Sequence, residues 1–295
     1  MQYDDMRKKI AAGQGFIAAL DQSGGSTPKA LKGYGVEEDA YSTDEEMFGL
    51  IHDMRSRIIT SPCFAGEKVI GAILFERTMD GEVAGRPTPT ALIEREIVPF
   101  IKIDKGLEEE ANGVQLMKPM SELDALLTRA KGLGVFGTKE RSVINLANEA
   151  GVAAVVAQQF EVAIQVLRHG LTPIIEPEVN IKSETRDACD RLLLAELLRH
   201  LDRLPEGAQV MLKLSLPAEA GLFQPLVDHP RVLRVVALSG GFGRTEACAQ
   251  LARNPGVIAS FSRALLSDLR HGHSDEEFDR TLGGAIDEIH AASVA

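Results

Sequence analysis

With 295 residues, 44% of them hydrophobic and 25% charged, the chain is composed like an ordinary globular protein. Its length admits two domains of roughly 150 residues or one α/β barrel of about 250. A net charge of -11 excludes general attraction to nucleic acid, whose phosphates would be repelled, but small phosphorylated substrates need only a local cluster of cations. No apolar stretch approaches the ~20 residues of a membrane span, and Met1–Asp5 lacks signal-peptide character, so no membrane partner is expected. Three widely spaced cysteines, Cys63, Cys189 and Cys248, form neither a CxxC site nor a disulfide framework, which suits a reducing cytoplasm.

In chain order, Phe16–Asp21 is the first predicted strand, and Ser42 with Glu45 forms a helix start signal before Met47–Ile59. The next strands are Val69–Phe75 and Phe100–Asp104. Between them Gly81–Thr90, rich in Gly and Pro, reads as a mobile loop that could cover the catalytic mouth. Val135–Arg141 is the fourth strand. The apolar run Val152–Ala157 reads as helix instead, because Val152, Val155, Val156, Phe160, Ala163, Ile164 and Leu167 keep helical spacing and Gly170 stands at the cap position. Leu171–Glu178, Gln209–Ser215, Val232–Ser239 and Val257–Arg263 complete eight strands, and Ser274 with Glu277 opens a C-terminal helix. Eight strands alternating with helices predict a parallel sheet, either open and doubly wound or closed as a (β/α)8 TIM barrel in one domain over 1–295.

Lys213 interrupts the apolar run Gln209–Leu216. Burying an ammonium is costly, so such a lysine is paired, neutralised or functional, and a free lysine amine is the usual nucleophile for a Schiff base. Other runs finish with charges two apart: Lys102 and Asp104, Lys139 and Arg141, Glu176 and Glu178. A strand repeats every two residues, so each pair shares a face. Ile101, Ile103, Phe136 and Ile175 are then expected to face the helices, as are Val210, Leu212, Leu214 and Leu216. With Asp21, Ser239 and Arg263 closing further strands, the charges gather at the C-terminal mouth of a barrel. For any one position the plainer account is a strand emerging into a loop; seven strands of eight in agreement favours a site.

Two segments suit anions. Ser239-Gly240-Gly241 follows a strand and offers backbone N–H groups, with Arg263 as a clamp, and Ser23-Gly-Gly-Ser26 follows Asp21. Two anion sites flanking a lysine suit a bisphosphate. The seven histidines are scattered, and His271-Gly-His273 reads as a solvated pair, so no metal site is expected.

Several segments together resemble class I fructose-1,6-bisphosphate aldolases over essentially the whole chain. They are Leu20-Asp-Gln-Ser-Gly-Gly-Ser26, Ile101-Lys-Ile-Asp-Lys-Gly106, Lys139-Glu-Arg141, Pro173-Ile-Ile-Glu-Pro-Glu178, Leu212-Lys213, Leu238-Ser-Gly-Gly241 and Phe261-Ser-Arg-Ala-Leu265. The resemblance implies a TIM barrel and reversible cleavage of fructose 1,6-bisphosphate to dihydroxyacetone phosphate and glyceraldehyde 3-phosphate, a step of glycolysis and gluconeogenesis, without metal or other cofactor. It implies Lys213 as the Schiff-base lysine, Glu176 as general acid/base, and Asp21 as the carboxylate that takes the C4 hydroxyl proton. Lys139 and Glu178 would steer those steps. Ser239, Gly240, Gly241 and Arg263 would hold the C1 phosphate, and Ser23, Ser26 and Lys102 the C6 phosphate, with Arg141 among the substrate-binding charges.

The match has departures. Animal members carry Asp-Glu-Ser where this chain has Asp21-Gln22-Ser23, and Phe-Ser-Tyr-Gly-Arg where it has Phe261-Ser262-Arg263. The chain ends His290–Ala295 without their terminal tyrosine, which suggests a short bacterial branch and leaves Glu176 as the candidate for proton exchange. Sugar phosphates are the expected partners, and association into a homo-oligomer stays open. The rival readings are another Schiff-base barrel, such as a transaldolase, and a non-catalytic sugar-phosphate-binding barrel.

Overall fold

Each of the eight apolar runs forms a strand in the computed structural model, which describes residues 1–295. They are β1 (Phe16–Leu20), β2 (Val69–Leu74), β3 (Val98–Lys102), β4 (Gly137–Ile144), β5 (Thr172–Val179), β6 (Val210–Ser215), β7 (Val232–Leu238) and β8 (Val257–Ala259). They lie side by side in sequence order, every successive pair parallel. The ring closes where the Ala19 amide donates to the Phe261 carbonyl just past β8, at 3.1 Å. The alternation of strands and helices thus resolves into a (β/α)8 TIM barrel and not an open sheet.

Period-two alternation sorts the strand side chains into two apolar layers. Ile101, Ile103, Ile175, Val210, Leu212, Leu214 and Leu216 pack outward in the large cluster beneath the helices. Ile17, Ala19, Ile73, Phe100, Ile174, Met211, Val236 and Ile258 fill the barrel interior, and Met6 and Ile10 of the N-terminal helix Tyr3–Ala12 join them. That helix plugs the N-terminal end of the barrel. The interior is therefore hydrocarbon at its lower end, which leaves the C-terminal end for charges.

Phe136 departs from the expected outward orientation. It belongs to the interior cluster, edge-on to Phe100 at 5.5 Å and tilted against Tyr3 at 4.8 Å between ring centroids. Regular alternation in β4 begins only at Gly137, so it does not govern the residue before it. Gly137 is required there: a Cβ would stand 2.1 Å from the Thr172 carbonyl oxygen and 2.9 Å from the Phe100 ring.

Other boundaries moved for local reasons. The helix expected from Ser42 and Glu45 is capped one residue later: Thr43 accepts from the Glu46 amide and Glu46 reaches back, and the helix runs Asp44–Thr60. Ser274 and Glu277 do form the capping box of Asp275–Ser293. Gly81–Thr90 is no open loop over the mouth. Glu82–Val83 pairs antiparallel with Arg86–Pro87 around Ala84 and Gly85, both at positive φ, and Thr88 donates through amide and hydroxyl to the Gly81 carbonyl. Arg263 does not end β8 but starts the one-turn helix Arg263–Leu266, because the Ser262 carbonyl captures the Leu265 and Leu266 amides. The helix Glu149–Arg168, followed by Gly170 at φ 69°, has the length and apolarity of a membrane span. Half of it is buried, and it is a core helix of the barrel's outer layer.

Candidate active site

A cavity of about 820 Å³ opens at the C-terminal end of the barrel. Asp21, Lys102, Asp104, Lys139, Arg141, Glu176, Glu178, Lys213, Ser23, Ser26, Ser239, Gly240 and Arg263 all line it. Gly241, at φ 116°, is the one expected site residue outside that lining. β2 contributes no side chain to the cavity.

At the centre, positive and negative groups alternate, from Asp21 just past β1 to Lys139, Glu176 and Lys213 on β4, β5 and β6. Lys139 Nζ stands 2.7 Å from Asp21 Oδ2 and 2.9 Å from Glu176 Oε2, and Lys213 Nζ stands 3.2 Å from Glu176 Oε1. Lys139, Glu176 and Lys213 are buried, and Asp21 nearly so. Burial alone would make these charges prohibitive; their alternation makes them tolerable. Desolvation raises the Asp21 carboxyl, but Lys139, Lys213 and Lys102 together hold it well below the usual carboxylate range. Desolvation likewise opposes ionisation of Glu176, and Lys139 and Lys213 overcome it, so it too sits below its ordinary value. Desolvation lowers Lys139, yet Asp21, Glu176 and Asp104 raise it above the ordinary lysine value. Lys139 is thus a fixed cation between two carboxylates. Glu176 Oε2 meets it as an ion pair without a well-directed hydrogen bond.

A second tier lies nearer the rim. Lys102 Nζ contacts Asp104 Oδ1 at 2.6 Å and its carbonyl at 2.9 Å, while Asp104 also accepts from the Arg141 and Gly106 amides. The Arg141 guanidinium pairs with Glu178 on the neighbouring strand. Desolvation works against the Arg141 cation, and Glu178 more than compensates.

Two turns border the cavity. After β1, the Ser23 amide donates to Ser26 Oγ at 2.9 Å and that hydroxyl returns to the Ser23 carbonyl, which starts the helix Ser26–Tyr34. That helix flanks the cavity along one face, with Ser26, Lys29, Ala30, Gly33 and Tyr34 in its lining. After β7, Gly240 turns at φ 61°, close against Ile181. Arg263 flanks this turn: a Cβ at Gly241 would lie 3.7 Å from its Nη2. No three His, Cys, Asp or Glu side chains converge where they could hold a metal ion.

Some lining residues escaped the sequence reading. Lys29 adds a further cation beside the Ser23–Ser26 turn, and Ser260 and Ser262 bring hydroxyls from beyond β8. Lys29 stands four residues into a helix whose start had no capping signal in the sequence. Ser260 and Ser262 lay inside what reads as a longer strand. Arg55, buried behind Gln22, carried no signal beyond its place in an amphipathic helix.

Residues 4–199 match the family model described as fructose-bisphosphate aldolase class-I. Among solved structures, a fructose-bisphosphate aldolase from Plasmodium falciparum superposes with a TM-score of 0.80 at 19% identity, over 99% of this chain and 94% of that one. The protein Cgl0159 of Corynebacterium glutamicum superposes with a TM-score of 0.58 at 14% identity, over 99% and 91%. At these identities the two structures speak for the fold; the family model speaks for descent.

Proposed function

Because the chain belongs to the class I fructose-bisphosphate aldolase family, we propose that it is itself an aldolase of one domain, cleaving fructose 1,6-bisphosphate reversibly through a Schiff base on Lys213. The observation that carries this reading is the Lys213–Glu176–Lys139–Asp21 relay: a buried lysine with a carboxylate 3.2 Å away, a second carboxylate beyond, and a fixed cation between them.

Glu176 takes a proton from the Lys213 ammonium, and the free amine attacks the ketose C2 carbonyl. Glu176 then returns a proton to the carbinolamine hydroxyl, which leaves as water and yields a protonated imine. Asp21, held ionised by its lysines, removes the C4 hydroxyl proton. The C3–C4 bond breaks, its electron pair flows into the iminium, and glyceraldehyde 3-phosphate departs. Protonation of the resulting enamine at C3 and hydrolysis of the imine release dihydroxyacetone phosphate. Lys139 stays charged throughout and offsets the negative charge that Asp21 and Glu176 bring together. Glu178 fixes Arg141 at the rim.

The phosphates would occupy two regions of the mouth, one beyond β7 and β8 and one beyond β1 and β3. Ser239, Gly240, Gly241 and Arg263 suit the C1 phosphate, and Ser23, Ser26 and Lys102 suit the C6 phosphate, with backbone N–H groups and cations in both regions. The lysine supplies the electron sink, so the reading calls for no metal or organic cofactor.

Borohydride reduction with dihydroxyacetone phosphate, followed by peptide mass mapping, is the test. A reduced adduct on Lys213, with cleavage activity unchanged in EDTA, is expected. An adduct on Lys102 or Lys139, or none, would sink the assignment. A transaldolase would form the adduct but favour a substrate with one phosphate, and a mere binding barrel would form none.

A further inference from the structure

Arg55, on the helix Asp44–Thr60, is buried and has no carboxylate partner in contact. Uncompensated buried guanidinium groups are costly and are normally paired. Its fork instead goes to neutral oxygens. Nη1 donates to Thr78 Oγ1 at 2.7 Å, and Nη2 donates to the Gln22 carbonyl at 2.5 Å and to Gln22 Oε1 at 3.2 Å. Desolvation brings the group down to about 10, and Asp21 is the one charge that acts to raise it.

Gln22 is held from the other side as well. Its Nε2 donates to the Ala19 carbonyl at 3.2 Å and to Ser262 Oγ at 2.6 Å. Ala19 is the residue whose amide closes the barrel onto Phe261, and Ser262 follows it. Gln22 and Arg55 together therefore tie the end of β1 to Ser262 beyond β8 and to Thr78 beyond β2. Asp21 sits inside that knot, between Ala19 and Gln22. A glutamate at position 22 would neutralise Arg55 but could not donate to Ala19 or Ser262. The amide is the residue type that satisfies both sides at once.

We propose that Arg55, acting through Gln22, is a positioning residue that fixes the Asp21 carboxylate against Lys139 for carbon–carbon bond cleavage. The inference rests on the aldolase reading above. Asp21 acts in cleavage and not in forming the imine with dihydroxyacetone phosphate, so loosening the knot separates the two steps. Misplacing a general base by about an ångström costs on the order of a hundredfold in rate.

The experiment compares Arg55→Met, Arg55→Lys and Gln22→Glu with the parent, each checked for folding by circular dichroism and thermal melting. For fructose 1,6-bisphosphate cleavage, kcat should fall roughly tenfold to a hundredfold in Arg55→Met and Gln22→Glu, with KM little changed. Arg55→Lys, which keeps the charge, should recover part of the loss. Borohydride trapping of dihydroxyacetone phosphate on Lys213 should proceed at the parent rate in all three. Parent-like kcat in the folded variants would overturn the proposal. So would a proportional loss of trapping and cleavage, which indicates general damage to the barrel. If Arg55→Met does not fold, Gln22→Glu decides by the same two measurements. A parent that neither cleaves nor traps refutes the aldolase reading itself, an outcome distinct from both.

Discussion

Lys213 and Glu176 project from adjacent strands, and Nζ stands 3.2 Å from Oε1. In the proposed reaction Lys213 attacks as the free amine, so its ammonium must first give up a proton. Glu176, in contact with that ammonium, is the group proposed to take it. Its other oxygen meets Lys139 at 2.9 Å, so Glu176 never faces the low-dielectric interior alone.

Glu176→Gln keeps the shape and removes the proton acceptor. General acid–base groups typically contribute 10²–10⁴-fold. The rate of trapping dihydroxyacetone phosphate on Lys213 should therefore fall about a hundredfold or more, measured by quenching with borohydride at timed intervals. Trapping at the parent rate would remove Glu176 from imine formation.

Asp21 gives a stability prediction with a definite sign. Its folded pKa lies below its unfolded value of about 3.9, chiefly because Lys139 and Lys213 outweigh the desolvation that raises it. The stability it contributes is complete above about pH 5 and is lost as the pH falls through the unfolded value toward the folded one. Lys139 is shifted upward, so its own contribution persists until the pH rises through a value above the lysine norm and adds no acid dependence. Urea unfolding of the parent and Asp21→Asn should differ by about 3 kcal/mol at pH 7, as expected when one partner of a buried pair is removed. The gap should narrow at pH 4 and again at pH 3. A gap that is constant or widens in acid contradicts the pairing.

At the rim, Arg263 flanks the Ser239–Gly240 turn and lines the cavity. Hydrogen bonds to charged groups are worth about 1.5–3 kcal/mol, or roughly tenfold to a hundredfold in affinity. Arg263→Met should raise KM for fructose 1,6-bisphosphate by at least about tenfold while kcat changes much less. A fall in kcat with KM unaltered would move Arg263 from binding to the chemistry.

The barrel and its central charges were legible because both follow local rules. Strand periodicity places Lys102, Lys139, Glu176 and Lys213 inward wherever the flanking residues are apolar, and β-strands tolerate little deviation from it. Position along the strand was harder. Arg141 lies inside β4, since Val114–Gln115 pairs with Val143 and Ile144 and extends the strand beyond the mouth. The run to Arg263 reads as one strand, but the strand stops at Ala259. The Arg55–Gln22 knot was invisible, because it joins residues 33 apart through a carbonyl and an amide, and no sequence period marks such a contact.

Gly137 tests the lower half of the barrel, on which the geometry of the upper half depends. It stands two residues before Lys139 on the same inward face of β4, beside Phe100 and next to Phe136. A methyl group there meets the Thr172 carbonyl oxygen at 2.1 Å and the Phe100 ring at 2.9 Å. The first is backbone in the adjacent strand and cannot rotate away, so β4 and β5 must separate locally. Overpacking of this kind typically costs about 1–3 kcal/mol and sometimes more. Gly137→Ala should lower the urea midpoint accordingly. It should also slow trapping on Lys213, because Lys139 and Glu176, on the two strands forced apart, would lose their 2.9 Å contact. Unchanged stability would mean that the strands yield freely at this level. Lost stability with normal trapping would show that the charged tier is held by its own ion pairs, independently of the packing below.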